Sequence, residues 1–229
     1  MPLIATRIEH LWWVDAFAFL VLALQLPIPV FWLVIHPAIG FWRRRSRRWY
    51  IAVAAGSWLL MWGLLLVPFD WWVEVRFSDH LLVTLAGLGL IAGDLWLLRQ
   101  VEREMNWRVL VGLAELHPER PESRVVRGGI YERVRHPRYL GALLSWWGAV
   151  LLTGATRVGY LVALFTALAL LVMELEEREL LRRLGEDYAA YRRCVPRLLP
   201  RWPRRLRGWR GEPATSVPKG VNSTEEAGR

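Results

Sequence analysis

Gly128-Gly-Ile-Tyr-Glu-Arg-Val-Arg-His-Pro-Arg-Tyr-Leu-Gly141 is polar and basic, and it runs straight into an apolar segment. Proline is well tolerated in the first turn of a helix, where its missing N–H has no intrahelical partner, so Pro137 marks a helix start near His136. Histidine, tyrosine and arginine are thereby held at the mouth of a hydrophobic helix. His136 and Tyr139 are three residues apart and share a face. The free amides of that first turn, with His136 and the nearby arginines, make an expected anion site. Gly141 allows another backbone or a ligand to approach closely. An interfacial helix start with outward-reaching arginines accounts for the same residues without any ligand, and both readings stand at this point.

Outward from this stretch the chain is a series of apolar runs. Of its 229 residues 54% are hydrophobic, and the mean hydropathy is +0.22. Ordinary soluble domains are less apolar. Runs of about 17–25 residues have the length of a helix that crosses a bilayer. Five spans are expected: Leu11 to Ile35, Trp49 to Phe69 and His80 to Leu98, with Tyr139 to Thr153 and Val158 to Met173 shorter, at about 15–17 residues, and barely reaching across the hydrocarbon. The first is too long for the apolar part of a signal peptide and is read as a retained span. Pro27 and Pro29 should kink or break it. Trp42, Trp49, Trp71 and Trp72 suit the headgroup layers. Glu174 to Leu184 has no breaker, so the fifth helix should continue past the membrane and stop at Gly185. The pattern predicts an all-α polytopic membrane helix bundle of about five transmembrane helices with a cytosolic C-terminal helical segment. Three regions follow: 1–98 with the first three spans, 99–210 as the catalytic region, and 211–229 as a disordered tail rich in Gly, Pro, Ser, Thr and Glu.

The net charge is +9. A basic protein invites a nucleic-acid reading, but the arginines sit in the wrong places for one. Arg43 to Arg48, Arg99 to Arg138 and Arg178 to Arg210 hold 25 of the 30 basic residues, and every block flanks an apolar span. Cationic loops beside membrane helices mark the cytoplasmic side and hold anionic headgroups. The expected partners are therefore membrane lipids and no nucleic acid, with the amino terminus outside and the carboxyl terminus cytoplasmic. Cys194 is the single cysteine, so no intrachain disulfide forms, and it reads as a small buried side chain. No pair of histidines or cysteines has metal-ligand spacing, so no metal is expected. His10, His36, His80 and His117 are isolated and read as interfacial or loop residues. Gly87-Leu-Gly89-Leu-Ile-Ala92 has the outline of a dinucleotide-binding loop but lies inside an apolar span. Ala86, Gly87, Gly89 and Gly93 are better explained as close helix packing in lipid. Asp94 within the third span either lines the site or sits at the cytoplasmic end beside Arg99. One of Trp146 and Trp147, both mid-span, packs in the bundle or lines an apolar tunnel.

The second polar cluster is Glu174 to Tyr191, directly after the last span. Glu174 and Glu177 share one helix face, Glu176 and Glu179 another. A carboxylate near hydrocarbon needs a cationic partner. Arg182, Arg183, the arginines of the first cluster or a bound cation all qualify. Tyr188 and Tyr191, three apart, are placed to close such a pocket. A charged helix laced with local ion pairs is the plain alternative.

Taken in order, the two clusters resemble the isoprenylcysteine carboxyl methyltransferase family of membrane enzymes, whose wider group includes phospholipid methyltransferases. The matching positions are Gly129, Tyr131, Arg135, His136, Pro137, Tyr139, Gly141, Glu176, Glu177, Leu180, Gly185, Tyr188, Tyr191, Val195, Pro196 and Arg197. They cover about a third of the chain. The resemblance implies a helical membrane enzyme that uses S-adenosylmethionine, held on the cytosolic side. It places His136, Tyr139, Glu176 and Glu177 around that cofactor, with Gly129, Tyr131, Pro137, Gly141, Tyr188 and Tyr191 as further binding positions. A sulfonium and an ammonium suit Glu176 or Glu177; a carboxylate suits His136, the arginines and the helix-start amides. Ala142 departs from the aromatic residue of eukaryotic members. The Arg- and Trp-rich style looks prokaryotic, which implies an inner (cytoplasmic) membrane location and a substrate other than the one in the family's name.

Methyl transfer from a sulfonium to a thiolate or carboxylate needs no general base. Alignment and exclusion of water carry it. The expected acceptor is a lipophilic or lipid-like molecule, or a small thiol or carboxylate. Arg135 or Arg178 is expected to orient it, with Glu177 as the third catalytic candidate. Two rivals differ. An NADPH-dependent sterol-type membrane reductase has a related Arg-His-x-x-Tyr pattern, but a polyanionic cofactor gains nothing from Glu176-Glu177. A non-catalytic membrane scaffold would tolerate Glu177→Gln.

Overall fold

The computed structural model describes residues 12–42, 44–45, 47–104 and 127–200. Regular structure among them is helical throughout: α1 (Trp12–Gln25), α2 (Pro27–Ile35), α3 (Ile39–Trp42), α4 (Arg47–Leu66), α5 (Phe69–Val73), α6 (Leu81–Glu104), α7 (Pro137–Thr153), α8 (Thr156–Leu184) and α9 (Glu186–Cys194), with 3-10 turns at His36–Ala38 and Gly129–Glu132. His10, His117, most of the long basic loop and the tail from 201 lie outside the described residues.

Four helical segments are long and apolar enough to cross a membrane: Trp12–Trp42, Arg48–Leu66, Leu81–Glu104 and Thr156–Leu184. The expected fifth is α7, a helix of 17 residues. At a rise of about 1.5 Å per residue it falls a little short of the hydrocarbon thickness. The prolines act as expected on the first segment. Leu26 is a turn between two helices, and Pro27 starts α2. The break is mild, because Leu26 N–H still donates to the Leu22 carbonyl at 2.8 Å. Large apolar side chains such as Leu59, Leu60, Leu82, Leu85 and Leu164 stay exposed on the outside of the bundle, where lipid would cover them.

The core joins α1, α7 and α8 through Phe19, Leu22, Leu26, Trp146, Val162, Phe165 and Ala169, all buried. Trp146 is the tryptophan that packs inside; Trp147 is exposed. Trp72, expected in a headgroup belt, is buried and donates to the Leu64 carbonyl at 3.0 Å. Helices α6 and α7 run antiparallel and cross closely at one glycine pair. A Cβ at Gly87 would sit 2.7 Å from the Gly148 carbonyl oxygen. The packing reading of the small residues thus holds for Gly87. Gly89 faces open space, so it plays no part in that crossing.

One end of the bundle is tied by the two short loops. Arg76 donates to the Asp15 carboxylate at 2.6 and 3.1 Å and to the Thr153 carbonyl. Phe77 N–H donates to Gly154 O at 2.7 Å, and Thr156 N–H to Val75 O at 2.9 Å. Gly154 turns the chain from α7 into α8 at φ 57°, a left-handed conformation that costs glycine little. The hairpin so formed returns α8 to the level where α7 began, and there the site lies.

Candidate functional site

His136 is the residue before α7, and Pro137 is its first helical residue, as the proline rule predicts. The imidazole does not cap its own helix. It reaches across the hairpin instead, with Nε2 3.0 Å from Glu177 Oε1. The backbone fixes it there: Arg135 N–H donates to Pro196 O at 2.9 Å, and His136 N–H to Arg197 O at 3.1 Å. The chain after α9 is thus laced to the start of α7, which brings the two polar clusters into contact.

Glu177 is the hub. Its side chain is fully buried. Arg197 grips both oxygens, Nε to Oε1 at 3.1 Å and a terminal nitrogen to Oε2 at 2.8 Å, while reaching Glu174 at 2.7 Å. Arg135 lies 3.3 Å and Arg192 3.4 Å from the same carboxylate. Two-point gripping by arginine is geometrically specific and charge-assisted. The hydrogen bond to Glu177 pushes the Arg197 pKa above its already high value, so this guanidinium keeps its proton at any working pH.

Part of the Arg135 guanidinium and the Glu176 carboxylate are left over by the hub. Arg135 is 8% exposed at its side chain, and its buried Nε and one terminal nitrogen have no hydrogen-bond partner among the described residues. Buried donors are ordinarily satisfied. Glu176 is 24% exposed, with His136 Nδ1 3.9 Å from its carboxylate. Tyr139 packs edge-on to His136, ring centroids 5.6 Å apart. Tyr131, Tyr188 and Tyr191 are buried beside these charges. Burial, then the neighbouring carboxylates Glu177 and Glu176, push the Tyr188 phenol up; burial, then Tyr188, do so for Tyr191. Both stay protonated. Tyr191 donates its proton to the Tyr131 carbonyl at 2.7 Å. Tyr191→Phe should cost about 1 kcal/mol, the worth of one such bond, read as a small drop in the denaturant midpoint.

The remaining sequence candidates fall as follows. Gly129 takes φ 58°, and a Cβ there would overlap the Glu104 side chain. Gly141 faces Asp94 rather than open space. Gly185 adopts φ 55° and bends the chain from α8 into α9, as expected of the stop. Arg178 is not brought to the site. It is one residue, about 100° of helix turn, beyond Glu177; it is 64% exposed and pairs with Glu174 at 3.0 Å. Cys194 is exposed, not buried, because α9 ends there and turns its last residues outward. His36 is buried rather than interfacial, stacked on Trp32 with Glu176 and Glu179 nearby. Arg197 and Arg192 were not singled out as site residues. The signal for Arg197 is its place after Val195-Pro196, where proline ends the helix and sends the arginine back over the acids. Asp94 is neither beside Arg99 nor idle: it accepts from Ser145 Oγ at 2.6 Å and Gln25 Nε2 at 2.9 Å.

A helical bundle exposing apolar faces along four membrane-length helices, with a buried ionic site at one end, is an integral membrane protein. Residues 82–187, the segment that holds the Arg-His-Pro start and the acidic helix, match the model of the phospholipid methyltransferase family. Among curated relatives, methanethiol S-methyltransferase of Pseudomonas deceptionensis is 34% identical over 57% of this chain and 49% of its own length. That of Mycobacterium tuberculosis is 40% identical over 33% of this chain and 30% of its own. Phosphatidylethanolamine N-methyltransferase of Phaeosphaeria nodorum is 24% identical over 81% of this chain and 19% of its own. The chain thus spans about half or less of the length of these relatives. No solved structure matches it.

Proposed function

We propose that the protein is an S-adenosylmethionine-dependent methyltransferase of the membrane, acting on a lipophilic acceptor or a small thiol or carboxylate. The observation that carries this is the pair of groups left over by the hub: the unpartnered buried donors of Arg135 and the carboxylate of Glu176. A methionine moiety needs one anion-binding and one cation-binding group close together, and these two residues fit it. Arg135 would take the carboxylate, with the first-turn amides of α7 adding to it, and Glu176 would face the positive end. Tyr131, Tyr139, Tyr188 and Tyr191 supply the aromatic surround. Bound there, S-adenosylmethionine supplies an electrophilic methyl group.

In this reading Glu177 holds the site together and does not touch the cofactor. Relatives named for a thiol and for a phospholipid acceptor support methyl transfer as the reaction class. Two carboxylates at the site argue against a reductase, since NADPH brings several negative charges of its own. The same reading puts the site and the carboxyl terminus on the cytoplasmic side, where the cofactor is made, and assigns 1–98 to the support of a catalytic region in 99–210. The test is incubation of the purified protein with methyl-labelled S-adenosylmethionine, a native lipid extract and a panel of small thiols and carboxylates. Label should appear in one of these classes; label in none, with the folded protein binding S-adenosylhomocysteine, overturns the acceptor assignment.

A further inference from the structure

Asp94 is the acid the proposed chemistry leaves unused. It lies 13 residues into a 24-residue membrane helix, where an ionisable group is expensive and usually functional. It is 3% exposed. Three elements converge on it. Gln25 at the end of α1 donates at 2.9 Å, Ser145 of α7 at 2.6 Å, and Arg138 in the first turn of α7 lies 3.5 Å away. Gly141, the last glycine of the Arg-His-Pro motif, makes the notch: any Cβ there would overlap the Asp94 carboxylate. Arg138, Gly141 and Ser145 therefore form the face of α7 turned towards α6.

The distances rank these contacts. Ser145 and Gln25 satisfy the carboxylate, whereas 3.5 Å to one guanidinium nitrogen is a tether. Among the described residues the guanidinium makes no other ion pair, and the side chain is 27% exposed. It lies two residues from His136, and its charge reaches Tyr131, where it opposes that of Glu176. Arg138 is thus a tethered, partly exposed cation beside the site.

Resting on the methyltransferase reading, we propose that Asp94 is a positioning residue for Arg138, and that Arg138 holds an acceptor that is anionic when it reacts: a thiolate or a carboxylate, not an amine. The acceptor's lone pair forms the bond to the methyl carbon as that carbon's bond to the donor sulfur breaks, its electrons returning to sulfur. A thiol gives its proton to water beforehand. Opposite charges are annihilated in this step, so a dry site favours it. An ammonium-bearing acceptor would instead be repelled by Arg138 and by the three arginines gathered on Glu177.

The test uses two unreactive probes of similar size, propanesulfonate and propylammonium, titrated into the protein saturated with S-adenosylhomocysteine. Wild type should bind the sulfonate and not the ammonium. Arg138→Gln and Asp94→Asn should each weaken the sulfonate by about tenfold or more, the worth of a charged hydrogen bond, with S-adenosylhomocysteine affinity unchanged; Arg138→Lys should recover part of the loss. In turnover the same variants should raise the acceptor KM more than they lower kcat. Retained S-adenosylhomocysteine affinity shows that a variant is folded. Preference for the ammonium, or unchanged sulfonate affinity in Arg138→Gln, overturns this proposal alone. Failure of wild type to bind S-adenosylhomocysteine overturns it together with the methyltransferase reading.

Discussion

Glu177→Ala is expected to lower the stability of the bundle by about 3–5 kcal/mol, because removing one partner of a buried ion pair strands the others. The stranded groups here are Arg135 and His136, both buried, with Arg197 and Arg192 at the rim. The loss is not of one attraction. Four cationic or cationisable side chains share this carboxylate, and the ends of α7, α8 and α9 meet on it. Glu177→Gln keeps the shape and an acceptor oxygen but removes the charge, so it should fall in the same direction by a smaller amount. Arg178→Ala, next in sequence, removes only an exposed pair with Glu174 and should stay within about 0.5 kcal/mol of wild type. Denaturant midpoints of the detergent-solubilised variants compare them directly. An unchanged midpoint for Glu177→Ala would mean that the hub does not hold the bundle's end.

Gly141→Val should be nearly as damaging, at about 2–4 kcal/mol, since overpacking and a displaced buried acid add. The new side chain takes the space of the Asp94 carboxylate. Either Asp94 leaves Ser145 and Gln25, or α6 moves off α7. Asp94→Ala empties the notch, so the double variant should be less destabilised than the two single effects summed. Coupling of this kind is what a double-mutant cycle detects. Additive effects would place the strain elsewhere.

The fold was legible where backbone chemistry decides. Pro137 set a helix start, Gly185 set a bend, and the apolar runs set the helices. The run from 139 to 153 was legible as a helix, though α7 is too short for its length alone to make it a span. The meeting of the two clusters was legible through the family resemblance that their motifs carry. What Glu177 meets was not. Its burial depends on Arg197 folding back through backbone bonds to Arg135 and His136, a contact between distant segments that no local pattern encodes. Arg178 illustrates the converse: beside a glutamate in sequence, it is turned to the outside by the helix period. Asp94 was visible as an expensive acid, but its partners Gln25 and Ser145 come from helices whose alignment only packing fixes. Likewise Gly141 was visible as a close approach, and the approaching group proved to be Asp94.

The claim on which the account turns is that the Arg135 donors and the Glu176 carboxylate hold the methionine part of the cofactor. Calorimetric titration of S-adenosylhomocysteine and of NADPH into wild type and Glu176→Gln tests it most directly. The account predicts binding of S-adenosylhomocysteine, weakened about tenfold by the substitution as expected for a lost charged contact, and no binding of NADPH. Equal affinity of wild type and Glu176→Gln, or tight NADPH binding, would contradict it.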